Sequence, residues 1–117
     1  MSEHAEQVNI IKYCKIVKIP VFAIPNGMWI PGLTGKRLFS YIAKMKAEGM
    51  TKGVPDLFFP IANNGYNGLF IELKIRGGKL SAEQMKWLKI LSNNGYKAIC
   101  CYGANEAIKE IKKYMGG

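Results

Sequence analysis

GVPDLFF (residues 53–59) and FIELK (residues 70–74) carry the reading of this chain. In the first, Asp56 follows a proline and precedes an apolar run; in the second, Glu72 and Lys74 are the only charges in what otherwise reads as a buried strand. A charge so placed costs several kcal/mol unless it is paired or holds a metal. Side chains two apart on a strand share a face, so Glu72 and Lys74 point together while Ile71 and Leu73 point the other way. The turn-rich NNGYNG (residues 63–68) separates two strand-like runs, PDLFFPIA and GLFIELKI, so residues 55 to 75 read as a hairpin with Asp56 at the start of its first strand.

Paired in this way, two carboxylates and one ammonium converge at a strand end. Two carboxylates that close resist joint ionisation unless a cation lies between them, and hard oxygen ligands suit Mg²⁺ or Mn²⁺. The peptide carbonyl of Leu73 is a further candidate ligand. Phosphodiester cleavage needs such a cation and gains from a nearby ammonium, which Lys74 supplies. Taken as isolated residues, an ion pair between Glu72 and Lys74 with Asp56 capping a turn accounts for them equally well.

Outward from the hairpin, HAEQVNIIKYCKIVK reads as an amphipathic helix with Val8, Ile11 and Ile16 on its apolar side. VFAIP is a short strand ended by Pro25 and Asn26-Gly27. From Thr34 to about Gly49, Leu38, Ile42 and Met45 mark a helical face, with Lys36, Arg37, Lys44 and Lys46 as a basic surface. Ser81 starts a helix through Asn93, with Met85, Leu88 and Leu91 inward, and Ser81 and Gln84 have the spacing of a capping box. YKAICCY is an apolar strand, and NEAIKEIKKYM a closing helix with Ala107, Ile108, Ile111 and Met115 on one side. The order α β α β β α β α predicts an α/β fold, a central mixed sheet flanked by helices.

The 117 residues suit one domain, residues 1–117, and the 49% hydrophobic and 21% charged composition is that of a globular protein. No apolar run approaches the roughly 18 residues of a membrane span, and the polar opening MSEHAEQ does not read as a signal peptide, so the expected location is cytoplasmic. Seventeen basic residues against eight acidic leave a net charge of +9, which favours a polyanion, nucleic acid first. Cys14, Cys100 and Cys101 lack metal-site spacing and read as reduced thiols, the last two on opposite faces of their strand. GLTGKR (residues 32–37) fails as a phosphate loop, since Arg37 stands where a hydroxyl must reach the metal; a lone His4 supplies neither a His-metal site nor a triad.

The ordered set GVPDL, IELK and LSAEQMKWL, with AIPNG upstream, resembles the VRR-NUC branch of the PD-(D/E)xK nuclease superfamily, in particular its small stand-alone phage-type members. The resemblance implies a restriction-endonuclease-like fold and metal-dependent DNA cleavage. It implies that Asp56 and Glu72 hold Mg²⁺ or Mn²⁺ and that Lys74 assists the water. It places a further acid on the first helix in an ExxxQ pattern, which Glu3 and Gln7 match, with Glu6 as the rival. It gives Gln84 a part in organising the site, beside its role in the capping box. Lys36, Arg37, Lys44, Lys46, Lys52, Arg76 and Lys79 are candidates to hold the DNA backbone without reading sequence. The resemblance also implies a homodimer acting on four-way (Holliday) junctions; Met28, Trp29 and Ile30, apolar residues in the loop after AIPNG, are a candidate interface. Alternatives are a nuclease for flaps, nicks or ends, and a non-catalytic DNA-binding subunit of the same fold.

Overall fold

The computed structural model describes residues 1–25 and 32–116. Met28, Trp29 and Ile30, the candidate interface, lie outside the described residues. The elements follow the expected order: α1 (Glu3–Val17), β1 (Phe22–Ala23), α2 (Gly35–Ala47), β2 (Leu57–Phe59), β3 (Leu69–Lys74), α3 (Ala82–Asn93), β4 (Lys97–Tyr102) and α4 (Ala104–Gly116). One mixed sheet runs β1-β2-β3-β4, antiparallel as far as β3 and parallel between β3 and β4. This is the α/β arrangement of a restriction-endonuclease-like fold.

Strand alternation sorts the two faces of the sheet. Leu57, Phe59, Leu69, Ile71, Leu73 and Cys101 are buried on one face, against Ile10 and Cys14 of α1 and Ala104, Ala107, Ile111 and Tyr114 of α4. Each large aliphatic or aromatic side chain buried there contributes roughly 1.5–3 kcal/mol. On the other face Phe58 stacks on Phe70 with ring centroids 4.3 Å apart, and Tyr96 meets Phe70 edge-on at 5.2 Å. Glu72 and Lys74 continue this second face, and α3 packs on it through β4. Cys101 is buried and Cys100 only half-buried, in keeping with opposite faces.

Two helical faces differ from the sequence reading. On α1 the buried residues are Ile10 and Cys14, whereas Ile16 is 80% exposed. Apolar residues surround this helix, so periodicity alone does not select a face; the packing of α1 against β3 and α4 does. The selected stripe runs Glu3, Gln7, Ile10, Cys14 at alternating steps of four and three, so the buried core face ends in two polar residues. On α3, Leu88 and Leu91 lie in the half-buried stripe as expected, but Met85 points to solvent, 54% exposed, and its place is taken by Gln84.

The ends of the helices are fixed by side chains. Ser2 Oγ accepts the Ala5 N–H at 3.1 Å and opens α1. The last carbonyls of α4 are taken by the hairpin loop, where Asn63 Nδ2 and Asn64 Nδ2 each donate to the Tyr114 carbonyl at 2.8 Å. No residue of α2 is fully buried; Leu38, Ile42 and Met45 are half-buried, the face expected, and its lysines are exposed.

Candidate active site

The site is built on the middle of the sheet. Leu57 pairs with Ile71, Phe58 with Phe70 and Phe59 with Leu69. Continued one step, this register sets Asp56 opposite Glu72, on the face that carries Phe58 and Phe70. The backbone agrees, since Asp56 Oδ2 accepts the Leu73 N–H at 2.8 Å and the Asp56 carbonyl accepts the Ile24 N–H at 2.8 Å. Both ends of Asp56 are thus anchored at the sheet margin, and it serves as more than a turn cap.

One further step sets Pro55 opposite Leu73. A proline has no N–H, so it cannot donate to the Leu73 carbonyl at that rung of the ladder. The PD pair therefore alters two bonds at once. Proline removes the donor that a regular strand would offer Leu73, and aspartate takes the Leu73 N–H with its side chain.

Glu72 is only 2% exposed. Its Oε2 accepts from Gln84 Nε2 at 3.2 Å, and its Oε1 is buried with no hydrogen-bond partner. Burial first, then the charge of Asp56 and a hydrogen bond with it, push the Glu72 carboxyl up from 4.5 to about 8. Lys74 opposes this rise and Glu3 adds to it. Gln84 donates to Glu72 Oε2, while Lys74 acts on the carboxyl through charge. Cys100, the neighbour of Glu72 on β4, is held as a thiol above its ordinary value, by burial first and then by the charge of Glu72.

Gln84 reaches Glu72 because the start of α3 is fixed twice. Ser81 Oγ accepts the Gln84 N–H at 3.1 Å and Gln84 Oε1 accepts the Ser81 N–H at 2.8 Å, completing the capping box. Gly53, at φ +95°, lies so close to α3 that a Cβ there would come within 2.6 Å of the Glu83 backbone. The glycine of GVPDL lets the loop carrying Asp56 pack directly on the helix carrying Gln84.

The structure therefore brings Asp56, Glu72, Lys74 and Gln84 together. Glu3 lies in the first turn of α1, exposed, near enough for its charge to act on Glu72. Glu6 instead approaches Gly103, where a Cβ would lie 3.3 Å from its Oε1. Among the described residues no three His, Cys, Asp or Glu side chains form a ready metal cage. The donor set is two carboxylates and backbone oxygen, and a buried Glu72 with an orphaned Oε1, next to the charge of Asp56, fits a hard divalent cation.

The basic residues separate into groups. Lys36, Arg37 and Lys44 line an open groove of about 440 Å³ along α2 with Leu33, Ser40 and Tyr41. Arg76 belongs to a second groove, with Tyr102, Asn105, Glu106 and Lys109, four residues that the sequence reading did not single out. Their signal was present in parity: Tyr102 pairs with Lys74, and neighbours across a parallel ladder share a face. Lys46, Lys52 and Lys79 are exposed, as is His4. Among the described residues no helix is long and apolar enough to cross a membrane.

Comparison with known proteins gives the site its context. Residues 30–105 match the VRR-NUC domain family, well over half of the chain. A solved structure described as a VRR_NUC domain protein is 26% identical, with a TM-score of 0.74 over 99% of this chain and 89% of its own. No curated protein matches the sequence. The family match spans Asp56, Glu72, Lys74 and Gln84, while the structural likeness extends to α1 and so to Glu3. With GVPDL, IELK and the Ser81-to-Gln84 helix start inside the matched region, the chain belongs to the VRR-NUC domain family of nucleases.

Proposed function

We propose that this nuclease-family domain hydrolyses DNA phosphodiester bonds with Mg²⁺ or Mn²⁺ held by Asp56, Glu72 and the Leu73 carbonyl. The observation that carries the proposal is Glu72, buried, with one oxygen unpartnered and a second carboxylate as its cross-strand neighbour. A fold gains nothing from such a pair by itself, since breaking or leaving unpaired a buried charge costs several kcal/mol. When bound, the cation supplies charge neutralisation at the phosphate and a more acidic water.

The residues of the chain divide the remaining work. Gln84 fixes the Glu72 carboxylate by Oε2, so that Oε1 alone is presented. Asp56 is held in place by the Leu73 N–H, which its Oδ2 accepts. Lys74, on the same face as Glu72, offers its ammonium to orient the attacking water and to offset charge on the phosphate. Glu3 tunes the pair from the first turn of α1, and the effect of its charge on Glu72 favours it over Glu6.

The backbone of the DNA is held by Lys36, Arg37 and Lys44 in the α2 groove and by Arg76, with Lys46, Lys52 and Lys79 adding to the basic field. The preferred substrate is a four-way junction and the working form a homodimer. One domain with one metal centre makes one cut, and resolution of a junction needs two cuts related by a two-fold axis. The test is incubation of the protein with labelled four-way, flap and linear duplex DNA in Mg²⁺, Mn²⁺ or EDTA, with light scattering in parallel. Cleavage that needs the metal, favours the junction and accompanies about twice the 13.1 kDa chain mass supports the proposal. Cleavage in EDTA, or a monomer that prefers flaps, counts against its metal and junction parts respectively.

A further inference from the structure

We infer that the groove of about 580 Å³ lined by Arg76, Tyr102, Asn105, Glu106 and Lys109 receives a nucleotide displaced from the helical stack beside the phosphate to be cut, its base stacked on Tyr102. The inference rests on the proposed nuclease site and adds the part of the substrate that lies next to it.

Three elements meet there. Tyr102 ends β4 directly beside Lys74, and Glu72 and Cys100 form the neighbouring rung on the same face. The residue is 45% exposed, so a face of its ring is open to solvent at the end of β4. The ring is presented from a fixed backbone, because the Tyr102 N–H donates to Glu106 Oε2. That same bond engages the one carboxylate of the groove and reduces its repulsion of a phosphate. Lys109 stands one turn beyond Asn105 on α4, and Arg76 enters from the turn after β3.

Two cations, an amide and an exposed aromatic face match a nucleotide in its parts: phosphate to Arg76 and Lys109, base face to Tyr102, base edge to Asn105. A base within a duplex is stacked on both sides and has no face to offer, so the groove suits a base outside the stack. Stacking of this kind tolerates any base identity. The α2 groove, where Lys36, Arg37 and Lys44 run along one helix and Tyr41 is half-buried, suits the regular backbone instead.

The full-length protein is titrated, in EDTA so that nothing is cut, with a duplex carrying one unpaired 2-aminopurine and with its fully paired counterpart. Binding of the wild type should quench the unpaired probe. Tyr102→Ala should abolish the quench and weaken that complex roughly tenfold, with affinity for the paired duplex unchanged. Tyr102→Phe should retain both quench and affinity, and a melting curve establishes that each variant is folded. A quench that persists in Tyr102→Ala, or equal weakening on both DNAs, overturns the inference. Since no cleavage is read, absence of metal-dependent cutting would count against the nuclease proposal and leave this result standing on its own.

Discussion

Gln84 holds Glu72 by one oxygen and leaves the other without a partner. Its Nε2 donates to Glu72 Oε2 at 3.2 Å while its Oε1 accepts the Ser81 N–H at 2.8 Å. One amide thus caps α3 and orients the buried carboxylate. Stability and site geometry are joined in this side chain, and they can be separated.

Ser81→Ala removes the cap bond and should cost about 1 kcal/mol of stability with little effect on cleavage. Gln84→Ala removes the reciprocal cap bond and also frees Glu72, so stability should fall by a similar amount and cleavage roughly tenfold, the equivalent of one lost hydrogen bond to a charged group. Thermal melting and single-turnover cleavage of both variants check this. Equal cleavage by the two would reduce Gln84 to a helix cap.

Asp56→Ala, Glu72→Ala and Lys74→Ala should each nearly abolish cleavage while DNA binding in EDTA persists, because groups that act as a unit fail together. Loss of either Asp56 or the buried Glu72 should leave the fold intact or raise its melting temperature. An Asp56→Ala protein that cuts as well as the parent would remove Asp56 from the site.

Glu72 also gives the metal-free protein a pH signature. Its carboxyl is raised from 4.5 to about 8 in the folded state, by burial first and Asp56 second. A carboxyl that holds its proton more tightly when folded stabilises the fold fully below its unfolded value; that contribution shrinks as pH rises from about 4.5 and is gone above about 8. In EDTA the melting temperature should therefore fall between pH 5 and 9. Glu72→Gln, with no proton to lose, should show a flatter profile. Identical profiles for the two proteins would exclude Glu72 as the titrating group.

Pro55→Ala tests the altered rung. An alanine supplies the missing N–H opposite Leu73, so the Leu73 carbonyl can close the ladder. Affinity for Mn²⁺, read by calorimetry, should drop several-fold while metal-free stability holds or rises. Unchanged affinity would free the Leu73 carbonyl from any part in binding the cation.

Much of this site was legible before the fold was known, and the reasons are local. Glu72 and Lys74 share a face by strand alternation alone, Asp56 follows from a hairpin whose turn is spelled NNGYNG, and Ser81 with Gln84 has the spacing of a capping box. What escaped depends on contacts distant in sequence. Ile16 read as core and is exposed, because α1 is apolar on several sides and only its packing against β3 and α4 selects Ile10 and Cys14. Met85 erred by one position for the same reason on α3. Tyr102 became visible only through the parallel register of β3 and β4, which no hairpin pattern reveals.

The α2 groove makes the last prediction. The basic residues of this helix were named from sequence as one surface, yet Lys36 and Lys44 line the groove with Arg37, while Lys46 is exposed elsewhere on the helix. All lie away from the half-buried stripe of Leu38, Ile42 and Met45, so their substitution should leave the helix packed. Each lysine that neutralises a phosphate releases about 0.9 of a counterion, so Lys36→Ala with Lys44→Ala should lower the slope of log affinity against log salt by about 2. Affinity should fall for every DNA sequence alike, since backbone contacts carry no base information. Lys46→Ala should change the slope by less than either lysine of the groove. Titration of two unrelated duplexes at three salt concentrations is sufficient to read all of these. A loss confined to one sequence would point to base contacts, and an unchanged slope would move the DNA path off α2.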